Sequence, residues 1–114
     1  MLVFKIVSTS EWRAAEAAER FTGSAVDLRD GYIHFSTASQ APETVRRYFA
    51  GQTDLLVVAV DAASLGDALR WEPSRHDELF PHLYGDLQMT AVRWVKPLPL
   101  GHHGQHVFPE PLSP

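Results

Sequence analysis

Residues 54–60, DLLVVAV, contain the longest unbroken apolar run in the chain, from Leu55 to Val60. Six apolar residues, three of them valine, are too few for a typical helix and favour a strand. Because apolar side chains would point to both faces, we expect a central strand that is buried on both sides. The fold is therefore predicted to assemble around this segment.

The start of the chain favours a strand followed by a helix. Residues 2–7, LVFKIV, predict the first strand. Ser8 is followed three residues later by Glu11, a pattern typical of a capping box at the start of a helix. Residues 11–20 are rich in alanine and glutamate, which favours a helix through about Arg20. The chain is therefore expected to begin with a β-α unit.

A second short strand and a second helix are predicted next. Asp30–Gly31 favours a turn, and residues 32–36, YIHFS, favour a short buried strand after it. Thr37 begins another capping-box pattern, and Pro42 suits the first turn of a helix. This helix is expected to run to about Ala50, with three residues facing inward, namely Val45, Tyr48 and Phe49.

The second half of the chain predicts short strands separated by turns. In chain order these are a turn at residues 61–66, a strand at 69–72 that ends at a proline, a polar loop at 74–78, an extended segment at 80–84 and a last strand at 89–95. This order predicts an α+β fold with a mixed, mostly antiparallel sheet and two early helices. We expect one compact domain over residues 1–97, followed by a Pro- and His-rich C-terminal tail over residues 98–114.

Composition narrows the functional classes. The chain of 114 residues has a net charge of −4 and contains no cysteine. The missing thiols exclude disulfides, thiolate metal sites and cysteine nucleophiles, and they suit a reducing compartment. No apolar stretch approaches the roughly 20 residues that span a bilayer, so we expect no membrane partner. Lys and Arg are scattered, which gives no indication of a nucleic-acid interface. A cytoplasmic protein is predicted, with no indication of its oligomeric state.

Two segments each place an imidazole and a hydroxyl two residues apart between apolar neighbours. These are His34 and Ser36 in GYIHFST, and His82 and Tyr84 in FPHLYG. Side chains alternate along a strand, so each pair would share one face. If the two faces converge, they form a pocket with proton-transfer groups and hydroxyl donors. The alternatives are a buried histidine bound to a backbone carbonyl and an edge strand that faces water.

Three further residues suit an anionic or ribose-containing ligand. Glu72 follows Trp71 at a predicted strand end, where a carboxylate could bind a ribose hydroxyl or act as a base. The alternative is a surface ion pair with Arg70 or Arg75. Arg75 lies in a charged loop expected to face solvent, but its guanidinium also suits a phosphate. Thr37 is expected to cap a helix whose N-terminus is itself suited to an anion.

Histidines also raise the question of metal binding. The HHGQH segment at residues 102–106 lies in a Pro-rich tail, where adventitious metal binding is the expected outcome. His34 and His82 with Glu72 would make a site of two histidines and one carboxylate, although their spacing does not require it. We predict no metal site. The sequence has no serine-hydrolase elbow, no dinucleotide-binding glycine motif and no phosphate-loop motif.

Three motifs taken together resemble a known family. IHFST at residues 33–37, RWE at residues 70–72 and FPHLYG at residues 80–85 resemble the bacterial family called domain of unknown function 952, over residues 4–97. The order of elements also resembles, more distantly, the ADP-ribosyltransferase-like superfamily, especially the RNA 2′-phosphotransferases. This second resemblance implies an ADP-ribosyltransferase-like fold.

The superfamily resemblance also implies a ligand class and roles for residues. Lys5 stands near the first motif position, which is usually His or Arg, and His34 and Ser36 fall in the second motif strand. The late polar position would come from the RWE or FPHLYG motif. The resemblance implies a pocket that binds or processes NAD or an ADP-ribose-like nucleotide, with NAD as a substrate rather than a cofactor.

Three functions are compatible with such a pocket. The first is an ADP-ribosyl or phosphoryl transferase-like enzyme that acts at a nucleotide ribose, with His34, Glu72 and His82 as the catalytic residues. Its substrate would be bound by five residues, namely Lys5, Ser36, Thr37, Arg75 and Tyr84. The second is a non-catalytic module that binds a small ligand. The third is a metal-dependent hydrolase built on the two histidines and the glutamate.

Overall fold

Eight strands and three α-helices are formed by the residues that the structure, a computed structural model, describes, namely 1–109 and 112. The strands are β1 (Leu2–Ser8), β2 (Arg20–Phe21), β3 (Ile33–His34), β4 (Leu55–Asp61), β5 (Leu69–Pro73), β6 (Leu79–Leu83), β7 (Leu87–Gln88) and β8 (Val92–Leu98). The helices are α1 (Thr9–Ala18), α2 (Ala25–Asp30) and α3 (Ala41–Tyr48). Three short 3₁₀ segments lie at Ala62–Ala68, Arg75–Asp77 and Met89–Ala91.

Strand β4 lies at the centre of the largest core. It pairs antiparallel with β1 on one side and with β8 on the other. Its residues alternate between two apolar clusters, because successive side chains on a strand point to opposite faces. Leu56, Val58 and Val60 enter a cluster with Trp12 and Leu87. The remaining positions, Leu55, Val57 and Ala59, enter a second cluster with Phe4, Val45 and Leu98. The predicted central strand, buried on both faces, is confirmed.

The strands pair only antiparallel within the described residues, in three sheets rather than in one mixed sheet. The sheets have the orders β1-β4-β8, β2-β7 and β3-β6-β5. The α+β class is therefore confirmed, and the mixed sheet is corrected. Strand β6 pairs with β3 on one side and with β5 on the other, so these strands do not extend the sheet around β4. The pairing of β3 with β6 places the two histidine segments side by side.

Helix α1 follows the predicted capping box. The backbone N–H of Glu11 donates to Ser8 Oγ over 3.2 Å, so the helix begins at Thr9. It ends earlier than predicted, because Glu19 adopts a left-handed conformation (φ 64°) and Arg20 already belongs to β2. The first predicted helix is thus confirmed with its C-terminal boundary moved inward.

Helix α2 is a third early helix that the sequence patterns did not predict. It is six residues long, which is too short to show an apolar period. Ser24 begins it, with its backbone N–H donating to Asp27 Oδ2 over 2.9 Å. Gly31 ends it with φ 87°, a left-handed conformation that glycine adopts without steric cost. The Asp30–Gly31 turn of the prediction is the C-terminal end of this helix.

Helix α3 presents a narrower apolar stripe than predicted. Ala41 and Val45 are buried, and Phe49 packs beside them on the second cluster. Tyr48 is 63% exposed, so its predicted inward orientation is wrong. Tyr48 is the last residue of the helix, and its ring lies 5.9 Å from the guanidinium carbon of Arg75 instead of in the core. The prediction that Thr37 caps this helix is also wrong, because the residue at its start is Gln40. Thr37 Oγ1 accepts from the backbone N–H of Gln40 over 3.3 Å, in a turn that precedes the helix.

The end of the chain departs from the predicted last strand. Residues 89–91 form a 3₁₀ turn, and β8 runs on to Leu98, which is buried in the second cluster. Phe108 and Leu112 also pack against that cluster. The division at residue 97 stays a prediction, and residues 110, 111, 113 and 114 of the predicted tail lie outside the described residues. None of the helices in residues 1–109 is long and apolar enough to cross a membrane.

Truncating a core side chain should cost much more stability than truncating an exposed one. Leu87 is fully buried in the first cluster, so Leu87→Ala should lower the free energy of unfolding by about 2–5 kcal/mol. Leu79 is half exposed, and Leu79→Ala should change it by no more than about 0.5 kcal/mol. Urea unfolding of both variants checks this, and equal losses would contradict the assigned core.

Candidate functional site

Strands β3 and β6 bring the two histidine segments together. Ile33 pairs with Leu83 and His34 pairs with His82 in an antiparallel register. The two imidazole rings lie on the same face, with their centroids 5.5 Å apart. The sequence left open whether the two segments converge, and the structure brings them together.

Tyr32 lies between these rings. Its ring stacks on His82, with the centroids 4.1 Å apart and the planes inclined by 26°. It also lies 4.7 Å from the His34 ring and 5.3 Å from the Tyr84 ring. Tyr32 is not among the site residues predicted from the sequence, although its position two residues before His34 puts it on the same strand face. Burial raises the pKa of Tyr32, so its hydroxyl keeps its proton at neutral pH.

A buried carboxylate, Asp27, anchors one side of this group. Its Oδ2 lies 2.9 Å from Lys5 Nζ, and its Oδ1 lies 2.6 Å from Nδ1 of His34. The backbone N–H groups of Ser24 and His34 donate to the same carboxylate. Burial raises the pKa of Asp27, but the hydrogen bond from His34 and the charge of Lys5 outweigh it and hold that pKa well below its ordinary value. The carboxylate is therefore ionised throughout the neutral range.

Lys5 is committed to that carboxylate. Burial lowers the pKa of Lys5, and the charge of Asp27 acts in the opposite direction. The residue is 5% exposed and its ammonium also donates to Asp27 Oδ1 over 3.0 Å. Lys5 was predicted to bind substrate from its place near the first superfamily motif. Its contacts within the chain hold Asp27 and the histidine bound to it.

The two histidines differ in how their ring nitrogens are used. His34 has a carboxylate oxygen at each nitrogen, with Asp27 2.6 Å from Nδ1 and Asp30 3.0 Å from Nε2. His82 has Glu72 2.8 Å from Nδ1, whereas its Nε2 has no hydrogen-bond partner among residues 1–109 and 112. Only His82 therefore combines an oriented ring with a nitrogen left available for proton transfer.

Glu72 is oriented by two hydrogen bonds. His82 Nδ1 and the hydroxyl of Tyr84 each lie 2.8 Å from Glu72 Oε1. These bonds, the one from His82 being the larger influence, hold the pKa of Glu72 below its ordinary value. The same bond to Glu72 raises the pKa of Tyr84. Glu72 thus binds the neighbouring strand's histidine instead of the surface arginines that were the alternative.

A cleft of about 580 Å³ opens beside these groups. It is lined by five of the selected residues, namely Lys5, His34, Ser36, Arg75 and His82, and also by Tyr32 and Thr44. Glu72 and Tyr84 do not line the cleft. Glu72 binds His82, which does line it, and Tyr84 binds Glu72. Thr37 lies outside it as well, because its side chain is used in the turn before α3. The sequence-selected residues are therefore divided between the cleft wall and a supporting layer.

The tail histidines lie apart from this cleft. His102 and His103 are exposed, and Nε2 of His106 lies 2.7 Å from the carbonyl oxygen of Gln52. Within residues 1–109 and 112, no three His, Asp or Glu side chains are grouped so that they could hold a metal ion. The structure therefore gives no support to the metal-dependent alternative.

The chain belongs to the family described as Protein of unknown function (DUF952), whose profile matches residues 6–95. Protein CC0527 from Caulobacter crescentus is a similar solved structure. Its crystal structure is 47% identical, covers 94% of each chain and superposes with a TM-score of 0.90. Its solution structure is 48% identical, covers 91% of this chain and 90% of that chain, and gives a TM-score of 0.82. No curated protein matches the chain. The more distant ADP-ribosyltransferase-like resemblance is not shown by these comparisons.

Neutralising Asp27 should destabilise the protein and flatten its acid response. Asp27→Asn leaves Lys5 buried without its counter-charge, so we expect a loss of about 3–5 kcal/mol in the free energy of unfolding at pH 7. Because the folded pKa lies below the unfolded value of about 3.9, the stability that the carboxylate contributes is full above the unfolded value and is lost as pH falls from there through the folded pKa. Unfolding free energies of the wild type should therefore fall more steeply between about pH 5 and pH 2 than those of the variant.

A matched control separates this effect from general acid denaturation. Asp67 is an exposed carboxylate, so Asp67→Asn should retain both the stability and the acid slope of the wild type. Chemical denaturation at several pH values measures both quantities. An Asp27→Asn variant with the wild-type slope would show that the buried carboxylate is not the acid-sensitive group.

Proposed function

We propose that the cleft binds a nucleotide of the NAD or ADP-ribose class and that the chain catalyses substitution at the nucleotide ribose. The observation that carries this proposal is the arrangement of His82. Its Nδ1 is held by Glu72, its Nε2 is unpartnered within the described residues, and its ring lines the cleft against Tyr32. A carboxylate that orients an imidazole in this way is a recurring device for general acid–base catalysis.

The proposed reaction exchanges one bond at the anomeric carbon of the ribose. The bond from this carbon to the leaving base, nicotinamide in the case of NAD, breaks, and the base takes the electron pair. An incoming hydroxyl or water forms the new bond and gives its proton to Nε2 of His82. Glu72 stabilises the imidazolium that results and holds the ring in place. His34, bound at both nitrogens, would position the ligand rather than transfer a proton.

The lining of the cleft supports a nucleotide as the ligand class. Its volume of about 580 Å³ lies within the range of small-molecule sites. Tyr48, an exposed aromatic side chain that lines the cleft, offers surface for a base. Arg75 lines the same cleft, and its guanidinium suits phosphate groups. A ligand with both an aromatic base and phosphates matches this combination.

A second candidate is a non-catalytic module that binds the same ligand class. The observation that favours it is that the side chains of Lys5 and His34 are already bound to carboxylates of the protein itself. Lys5 is held by Asp27, and His34 has a carboxylate at each nitrogen, so neither is available as a proton-transfer group without rearrangement. This candidate predicts saturable binding without any product.

An NMR titration followed by an overnight incubation separates the two candidates. Isotope-labelled protein is titrated with NAD and with ADP-ribose, and backbone amide shifts are recorded. We expect the largest shifts at Tyr32, His34 and His82, together with release of nicotinamide from NAD overnight. Binding without nicotinamide would favour the non-catalytic module, and the lack of any shift at millimolar ligand would reject both.

Removing the proposed proton acceptor should reduce turnover far more than binding. His82→Asn should lower kcat for nicotinamide release by roughly 100- to 10,000-fold, because general acid–base groups typically contribute that much. Its Kd for ADP-ribose, which cannot react, should change by less than about threefold. His103→Ala, a change at an exposed tail histidine, is the control and should retain full activity. A His82→Asn variant with wild-type kcat would remove this residue from the mechanism.

A further inference from the structure

The cleft also carries a group of polar side chains that the proposed mechanism does not use. Ser36, Thr44 and Arg75 line it together. Thr44 Oγ1 lies 2.9 Å from Ser36 Oγ and accepts a hydrogen bond from Arg75 Nη2 over 3.2 Å. We propose that these three side chains bind a phosphoryl group, and that the ligand therefore contains a 5-phosphorylated ribose. This inference rests on the proposed function for the ribose end of the ligand, and the phosphate end is tested independently below.

Arg75 is a largely buried cation whose guanidinium does not use all of its N–H groups in hydrogen bonds within the described residues. Its side chain is 11% exposed, and its guanidinium lies over the Phe80 ring, 4.7 Å from the centroid. Its Nε is buried and makes no hydrogen bond within the described residues, although Glu43 Oε2 lies 3.3 Å away. The guanidinium has five N–H groups, and within the described residues its one hydrogen bond is from Nη2 to Thr44, so other N–H groups are left for an anion in the cleft. The planar guanidinium is also the side chain best suited to phosphate.

The two hydroxyls provide a further donor. Because Thr44 Oγ1 accepts from Arg75, the contact between the Thr44 and Ser36 hydroxyls uses only one of their two hydrogens. In either direction of that contact, one hydroxyl hydrogen is left to donate to another acceptor. A phosphate oxygen beside Arg75 can accept from this hydroxyl and from the guanidinium together.

The local charge also favours an anion. Glu43 has one carboxylate, and three guanidinium groups lie near it, with contacts of 3.3 Å to Arg75, 3.5 Å to Arg47 and 3.9 Å to Arg46. One negative charge cannot balance three positive charges, so the cluster has an excess of positive charge. A doubly charged phosphate would be attracted to this end of the cleft.

The spacing between Ser36 and His34 suits a ribose 5-phosphate unit, with the phosphate at Ser36 and the anomeric carbon at His34. Ser36 follows His34 by two residues in an extended segment, in which the backbone N–H of Phe35 donates to the carbonyl oxygen of Pro81. Two residues of extended chain span about 7 Å. This is about the length of a ribose 5-phosphate between its phosphate and its anomeric carbon. A phosphate at Ser36 would therefore place the anomeric carbon beside His34 and His82.

Titrations with fragments of the ligand test the subsite. The probes are ribose 5-phosphate, ribose and inorganic phosphate, with Kd measured from amide shifts. We expect ribose 5-phosphate to bind the wild type at least about tenfold more tightly than ribose. Arg75→Gln and Thr44→Val should each weaken ribose 5-phosphate by about 10- to 100-fold and leave ribose unchanged, because each removes a bond to a charged group.

Matched variants protect the test against a loss of folding. Thr44→Ser retains the hydroxyl and should retain the wild-type Kd for ribose 5-phosphate. Arg20→Gln changes an exposed arginine that neither lines the cleft nor contacts Glu43, so its effect should stay within about threefold. Amide spectra of every variant report whether the fold is intact. A tenfold loss in Arg20→Gln would mean that general surface charge, rather than the subsite, attracts the ligand.

The outcomes separate this inference from the proposed function. Equal binding of ribose and ribose 5-phosphate would overturn the subsite, as would a wild-type Kd in both Arg75→Gln and Thr44→Val. A wild type that fails to bind ribose 5-phosphate at millimolar concentration would also overturn it, even if NAD is still cleaved. Binding of ribose 5-phosphate through Arg75 without nicotinamide release from NAD would support the subsite and remove the proposed catalysis.

Discussion

The buried carboxylate of Asp27 is the interaction on which the rest of the site depends. It joins three separate segments, because it binds Lys5 of β1, the backbone at the start of α2, and both the backbone and the ring of His34 in β3. Its own carbonyl oxygen accepts from the backbone N–H groups of Gly31 and Tyr32. A buried charge is unfavourable unless it is paired and hydrogen-bonded, and here the contacts of the carboxylate with Lys5, Ser24 and His34 provide that compensation.

From this anchor the site extends across two strands. Asp27 fixes His34, the β3–β6 pairing places His82 beside it, and Glu72 of β5 fixes His82 from the far side. Each imidazole therefore has its own carboxylate, and Tyr32 fills the space between the rings. The outcome is a set of polar groups held by the scaffold before any ligand arrives, which reduces the reorganisation that binding would require.

Local patterns carried enough information for much of this arrangement. The apolar run of β4, the capping box before α1 and the alternation that puts His34 and Ser36 on one face all depend on neighbouring residues, so the sequence predicts them. Asp27 was not selected, because its role depends on a lysine 22 residues away. Helix α2 is too short to show a period, and Tyr48 lies against Arg75, a residue distant in the chain, rather than in the core. The pairing of β3 with β6 is likewise a long-range event, so the sequence could state convergence only as a condition.

The loop that carries Arg75 has an unusual backbone. His76 and Asp77 have φ values of 58° and 59°, a left-handed conformation that costs about 1–2 kcal/mol for each such residue. The backbone N–H of Ser74 donates to the carbonyl oxygen of Glu78 over 2.9 Å and closes the loop around them. Because β-branched residues cannot adopt this conformation without severe crowding, related chains that keep the loop should draw these two positions from a small set, chiefly glycine, asparagine, aspartate and histidine. The conformation of this loop should therefore be recognisable from the residues that related chains carry at these two positions, even where Arg75 itself is replaced.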